Sequence, residues 1–324
     1  MRPNALCARI RKRLKIMYKV FIDGREGTTG LQIYDRLSVR NDIELIVLPE
    51  ELRKDTGARK DCINRADIVF LCLPDAAAKE AVTLCENPET KIIDASTAHR
   101  TVPGWAYGFP ELSYDFRKSV EREKRIANPG CHASGFISLV YPLVHSGIVN
   151  SDYPFVAHSV TGYSGGGKKM IAEYEAPDRD KELDSPRQYG LTLKHKHLPE
   201  MTKVCGLSRT PVFNPIVSDY YCGMCVTVPL FADLMNLPMT PQKLRDFYRD
   251  YYSGAKFIGI DEKEHSFLGA NNFAGSNRME IFIGGNEERL LLCSRFDNLG
   301  KGASGAAVQN MNIALGLEED AFLK

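Results

Sequence analysis

The sequence predicts an α/β protein in two parts, a doubly wound parallel sheet followed by an α+β domain. Three observations predict it. Short β-branched runs alternate with helical stretches from Tyr18 to Ala95. A glycine-punctuated turn joins the first strand to the first helix. After about residue 150 the pattern changes to mixed strands and helices that include a hairpin.

Lys19-Val-Phe-Ile-Asp23 reads as the first strand, Gly24 to Gly30 as the turn, and Leu31 to Leu37 as the opening of a helix. Ile43 to Leu48, Ile68 to Leu73 and Lys91 to Ala95 are short apolar runs bounded by turn residues, with an alanine-rich helix from Ala76 to Cys85 between the last two. Such alternation builds βαβ units around a buried parallel sheet. Farther on, Tyr220 to Leu230, Met279 to Ile283 and Arg289 to Arg295 are strand-like. Gly284-Gly285-Asn286-Glu287-Glu288 joins the last two, a hairpin signal. Pro241 to Tyr252 reads as a helix capped by Thr240, with Pro241 at its first position. A final helix, Ala303 to Leu315, is placed to pack back on the first part. The expected division is a basic extension at 1–16, a first domain at 17–130 joined by the returning helix 301–317, and a second domain at 131–300.

Composition bounds the function classes. The chain has 324 residues, 44% apolar and 26% charged, enough for two packed cores. No window approaches the roughly 18 uninterrupted apolar residues of a membrane helix. A net charge of +1 argues against a generic nucleic-acid binder. That balance hides an uneven start: Arg2, Arg9, Arg11, Lys12, Arg13 and Lys15 have no acidic neighbour, and removing their six charges from +1 leaves −5 for the rest. A basic, acid-free N-terminus is either an organelle-targeting segment or an over-extended start, and Met17 just before the first strand favours the second. The nine cysteines, scattered through apolar runs, look like reduced, cytoplasmic usage. Cys222 and Cys225 form a C-x-x-C without two further ligands, so two small residues of a strand are expected there and no metal.

The chemistry gathers in a few segments. Gly24-x-x-Gly27-x-x-Gly30 follows a strand and opens a helix, where backbone N–H groups receive a pyrophosphate and Thr28 and Thr29 add hydroxyls. In this context it reads as a Rossmann-like dinucleotide site. Glu50 and Glu51 stand where an NAD ribose would be held, and Arg53 and Lys54 follow at once to suit a 2′-phosphate, so NAD against NADP stays open. Asn128-Pro129-Gly130-Cys131 puts a cysteine where Ala133 to Val144 begins a helix-like run. A helix N-terminus favours the thiolate nucleophile. His195-Lys196-His197-Leu198-Pro199-Glu200 is expected to put both imidazoles on one side of an extended segment, with Glu200 near enough to orient one. A group of that kind moves protons in thioester chemistry. Arg100 follows the fourth strand, where ligands of such sheets bind and guanidinium suits paired oxyanions.

Taken in order, the glycine turn, Asp94-x-Ser96 through Arg100, Tyr107-Gly-Phe-Pro-Glu111-Leu, Asn128-Pro-Gly-Cys131, His195-x-His197-x-Pro-Glu200 and Gly300-Lys-Gly-Ala-Ser-Gly-Ala-Ala307 resemble the short type of the N-acetyl-gamma-glutamyl-phosphate reductase family. More distantly the chain is similar to aspartate-semialdehyde dehydrogenase, which shares the late Lys-Gly-Ala segment. Arg25-Glu26 departs from the family's cofactor loop. The resemblance implies a second domain that carries catalysis and the contacts of a homodimer or homotetramer. It implies NADP(H) lined by the glycines, by Ser164-Gly165-Gly166 and by Asn298. It implies a cytoplasmic oxidoreductase of arginine biosynthesis that reduces N-acetylglutamyl phosphate, releases phosphate and works through a thioester on Cys131. His195 or His197 exchanges the proton, and Arg100 and Glu200 stand on the substrate side. Reductases of aspartyl phosphate or of carrier-bound aminoadipyl phosphate share this chemistry and differ only in the pocket. A non-catalytic cofactor-binding regulator is opposed by the intact cysteine and both histidines.

Overall fold

Residues whose apolar side chains point to both faces can form only a strand buried on both sides, and β1 (Tyr18–Asp23), β3 (Ile68–Leu71) and β4 (Lys91–Asp94) meet that condition. The computed structural model describes residues 17–324, and the basic segment 1–16 lies outside the described residues. With β2 (Ile43–Ile46), β5 (Ala106–Tyr107) and β6 (Arg125–Ala127) these strands form an all-parallel sheet in the order β2-β1-β3-β4-β6-β5. Val20, Ile22, Ile68, Phe70 and Ile93 pack on α1 (Thr28–Ser38) and on the last helix, α9 (Gly305–Ala314). The alternate residues Phe21, Val69, Leu71 and Ile92 pack on α2 (Thr56–Arg65) and α3 (Asp75–Thr83).

The first helix begins at Thr28 rather than at Leu31, because Gly24 closes the turn early. Its φ of +87° suits glycine, a β-carbon there would overlap the Cys72 carbonyl, and its own carbonyl accepts from Gly27 N–H at 3.1 Å. Helix α4 (Tyr114–Arg122) is followed by β6 and then by α5 (Cys131–His145), the apolar helix on which the second part is built.

That second part is a seven-stranded mixed sheet. Its strands are β7 (Val156–Gly162), β8 (Arg187–Gln188), β9 (Val212–Ser218), β10 (Met224–Phe231), β11 (Ile258–Asp261), β12 (Met279–Gly285) and β13 (Arg289–Phe296). They lie in the order β11-β12-β13-β10-β7-β9-β8. One face is closed by α5 and α8 (Pro241–Tyr251), and Thr240 caps α8 as expected by accepting from Lys243 N–H at 3.2 Å. Helix α6 (Gly167–Glu175) follows β7, and α7 (Leu198–Val204) follows the histidine pair. Tyr220 to Gly223 form a turn instead of strand, because Gly223 takes a φ of +112° and donates its N–H to Asn298. The C-x-x-C is thereby split, Cys222 in the turn and Cys225 buried in β10, and no metal-binding group exists among the described residues. Among the same residues no helix is long and apolar enough to cross a membrane. The last helix is delayed to Gly305 by a π-type turn, Gly300–Ser304, whose Gly302 and Ser304 N–H groups bond back to Asp297 and Leu299.

Candidate active site

Two chain reversals bring the chemistry together: the loop between β6 and α5, and the turn before α7. Helix α5 starts at Cys131 with Gly130 as its cap, so the sulfur stands over the free N–H groups of the first turn. Gly130 is squeezed, since a β-carbon there would overlap the Arg100 guanidinium and the His197 ring. The loop is held by Asn128, whose side-chain amide donates to Ala303 O at 3.0 Å and accepts from Asn310 at 3.1 Å.

Glu200 fixes the arrangement. It is 2% exposed, and one of its oxygens accepts from Gly130 N–H at 2.9 Å and Tyr107 O–H at 2.6 Å. The other accepts from Arg100 at 3.1 Å. Arg100 also donates to Asn128 O at 2.9 Å and Ala95 O at 3.1 Å. Sequence reasoning expected Glu200 to orient a histidine. Its hydrogen bonds go instead to the loop, the tyrosine and the arginine, because α7 turns the carboxylate toward α5.

His195 and His197 lie in a turn entering α7, not in an extended segment. Pro199 sits in the first turn of α7 and His197 is its cap. The turn brings their ring centroids to 4.9 Å, and His197 N–H donates to His195 Nδ1 at 3.3 Å. With Nδ1 accepting, the neutral His195 ring carries its proton on Nε2. His197 is buried, and its Nδ1 has no partner. His132, which the sequence reading passed over, stands 5.5 Å from His195 and 5.6 Å from His197 between ring centroids. Burial drives all three imidazoles toward the neutral form, His132 down to about 3, His195 to about 4, and His197 well below its ordinary value. Burial likewise raises the Cys131 thiol against the opposing pull of the His132 backbone N–H, Arg100 and Lys196. The lowered thiol pKa that a helix N-terminus suggests is therefore outweighed here.

A cavity of about 450 Å³ connects Cys131, Arg100, His195 and His197 with Gly27, Thr28, Thr29 and Gly30 at the start of α1 and with Ser164, Gly165, Gly166 and Asn298. A recess of about 320 Å³ continues it past Gly27, Cys72 and Leu73 to Gly24, Arg25, Glu50, Arg53 and Lys54. Apart from Glu51, every expected cofactor residue thus lines these two adjoining cavities. Thr28 Oγ1 is buried there without a partner, and Asn298 donates to Ser164 Oγ at 3.0 Å. An unpaired hydroxyl at a helix N-terminus, between glycines, fits a pyrophosphate and hence a dinucleotide.

A parallel sheet with such a groove, opening on a cysteine at a helix start beside paired histidines, defines a nicotinamide-dependent aldehyde-forming reductase. Residues 46–119 match the family described as semialdehyde dehydrogenase, NAD binding domain, and 131–298 match semialdehyde dehydrogenase, dimerisation domain. The chain is 43% identical over 318 residues to the N-acetyl-gamma-glutamyl-phosphate reductase 2 of Nostoc sp., covering 94% of this chain and 99% of the other. It is 45% identical over 307 residues to the N-acetyl-gamma-glutamyl-phosphate reductase of Mesorhizobium japonicum, covering 92% and 99%. Aspartate semialdehyde dehydrogenase II from Vibrio cholerae has the same fold, with a TM-score of 0.73 at 14% identity over 93% of this chain and 99% of that one. The chain belongs to the N-acetyl-gamma-glutamyl-phosphate reductase family.

The neutral histidines make a pH prediction. Their folded pKa values are lowered, so below about 6.5 the unfolded chain takes up protons that the folded protein refuses. Their stabilising contribution is complete above that pH and is lost as pH falls toward 4. Urea titrations at neutral pH and near pH 5 should show His195→Asn losing less stability on acidification than wild type. An equal loss in both would mean that His195 is not held neutral.

Proposed function

We infer that this chain reduces N-acetyl-L-glutamyl 5-phosphate to N-acetyl-L-glutamate 5-semialdehyde with release of phosphate, in arginine biosynthesis. The observation that carries this is the single groove that joins the glycine turn of α1 to Cys131 and the histidine pair. The near full-length identity to reductases of that name supplies the substrate. Turnover of N-acetylglutamate semialdehyde with phosphate or arsenate, against a panel of other semialdehydes, tests it.

The residues act as follows. The Cys131 sulfur passes its proton by way of His195 to the departing phosphate and attacks the acyl carbon, the C–O bond to phosphate breaks, and a thioester remains. The nicotinamide, when bound in the groove, supplies a hydride to this chemistry. His195, with its ring N–H on Nε2, donates a hydrogen bond to the thiohemiacetal oxyanion that results, and His197 positions substrate through its free Nδ1. As the oxyanion collapses, the C–S bond breaks, the semialdehyde leaves, and the thiolate regains a proton from water by way of His195. Arg100 keeps N–H donors beyond its three protein bonds, and Lys196 is exposed at the cavity rim, so these two cations receive the anionic ends of the substrate. Glu200 acts on substrate through Arg100. NADP(H) is the preferred cofactor, because Arg25, Arg53 and Lys54 line the outer recess while Glu50 there is engaged by Arg53 at 3.3 Å. The functional unit is a cytoplasmic homodimer or homotetramer, with residues 17–130 and 301–317 holding cofactor and 131–300 carrying catalysis and subunit contacts.

Cys131→Ser should remove nearly all reductase activity and leave the fold and cofactor binding in place, since serine has no thiolate at neutral pH. Activity within about threefold of wild type would refute covalent catalysis. For the cofactor, kcat/KM should be higher with NADPH than with NADH, and Lys54→Ala should narrow the ratio. A clear preference for NADH would return Glu50 or Glu51 to the ribose. The histidines should separate: His195→Asn lowers kcat by about a hundredfold and removes its limb of the pH–rate profile, whereas His197→Asn mainly raises KM. Wild-type turnover and an unchanged profile in both variants would demote the pair to structure.

A further inference from the structure

Beside the histidine pair lies a second chain of polar groups that the proposed mechanism leaves unused. His132, the residue after the nucleophile, is 3% exposed, with Nδ1 2.8 Å from Ser159 Oγ and Nε2 2.7 Å from Tyr189 Oη. Ser159 is on the inner face of β7 and fully buried. Tyr189 follows β8, is anchored by its N–H to Pro215 O at 3.1 Å, and lines the same cavity as Cys131. Phe213 packs on His132 and His195, each 5.3 Å away between ring centroids, so an apolar ring backs the two imidazoles.

The hydrogen count fixes the direction of the chain. A neutral imidazole has one N–H and one acceptor nitrogen. If Nδ1 carried the proton, it would donate to Ser159, and the buried serine hydroxyl would have no acceptor for its own proton, which is unfavourable. If Nε2 carries it, Ser159 donates to Nδ1, His132 donates to Tyr189 Oη, and every proton of the chain has a place. The tyrosine hydroxyl then has only one direction left for its proton, into the chamber.

We propose that Tyr189, locked as a donor by Ser159 and His132, binds the amide carbonyl of the substrate's acylated amino group and so selects N-acyl over free α-amino acyl phosphates. The charge of the chamber supports this. Among the described residues that line it there is no Asp or Glu, while Arg100 and Lys196 bring positive charge. A free ammonium has only donors to offer and would meet a donor tyrosine and the exposed Lys196, beside an Arg100 already paired with Glu200. Acylation removes that charge and presents a carbonyl acceptor. A site that hydrogen-bonds one polar group discriminates strongly against ligands that lack it. The inference rests on the function proposed above, since it explains how that substrate is told from its unacylated relatives.

The test follows the reverse reaction with NADP+ and phosphate, on N-acetylglutamate 5-semialdehyde and on glutarate semialdehyde, which has the same chain without the amide. In Tyr189→Phe the ratio of kcat/KM for the first over the second should fall about tenfold, mainly through KM of the amide substrate. Ser159→Ala, which touches no substrate, should lower the same ratio in the same direction by freeing the His132 proton. A ratio unchanged in Tyr189→Phe, whether both activities fall together or neither falls, overturns the proposal while the function stands. Failure of the wild-type enzyme to oxidise the N-acetyl substrate overturns the function and this inference together.

Discussion

One buried carboxylate holds the two halves of the molecule in a single working geometry. Glu200 comes from α7 of the second part, yet its three donors come from elsewhere: Gly130 at the start of α5, Tyr107 at the edge of the first sheet, and Arg100 beyond β4. Taking this carboxylate out of water is tolerable only because all three donors meet it, and the Arg100 side chain is largely buried beside it. Removing one partner of such a pair typically costs about 3–5 kcal/mol, since the other is left as an uncompensated charge. The bond to Gly130 matters most for chemistry, because it sets the backbone immediately before the nucleophile.

The segment that supplies Tyr107 is pinned a second time four residues later. Lys301, 3% exposed, donates to Glu111 and to Gln309, each at 2.6 Å, with its ammonium 5.0 Å from the Phe109 ring centroid. Lys301 belongs to the π-type turn that leads into α9, and its neighbour Gly302 lies directly against Cys131, where a β-carbon would come within 2.9 Å of the cysteine's own. The late glycine-rich motif is thus a packing device. It lets the chain pass under the nucleophile while the lysine between the glycines ties that passage to the first sheet. A catalytic role for Lys301 would require it to leave two short hydrogen bonds.

Most of the fold was legible because it follows from local periodicity. Four of the six strands of the parallel sheet fall within a residue or two of their apolar runs, while the short β5 and β6 were not read, and the helix start at Cys131 follows from a Pro-Gly turn before an apolar stretch. The misreadings share a cause. Tyr220 to Gly223 looked like strand because the run was apolar, but a positive φ at Gly223 and its bond to Asn298 are tertiary facts. The His-x-His segment looked extended because alternation suggested it, whereas the cap of α7 curls it into a turn. Cys131, the histidines and the glycine turn, which the fold brings to one cavity, were legible in the sequence because each sits in a compact motif. Tyr189 and Ser159 were not, since each reaches His132 only through the pairing of β7, β9 and β8. His132 carried the one available signal, a histidine directly after the cysteine.

The electrostatic plan of the site reconciles a buried nucleophile with a charged substrate. Three imidazoles and a tyrosine surround the reacting region, and burial keeps the histidines neutral, so they act through directed N–H groups and lone pairs rather than through charge. Formal positive charge is confined to Arg100 and Lys196 at its edge. Had the histidines been protonated, their mutual repulsion within 5.6 Å would have opened the cluster, and the directions of their hydrogen bonds would have been lost. Neutrality therefore preserves geometry, and the cations preserve affinity for an anionic acyl donor. The raised thiol fits the same division. Burial outweighs the pull of the His132 backbone N–H, Arg100 and Lys196 on the thiol.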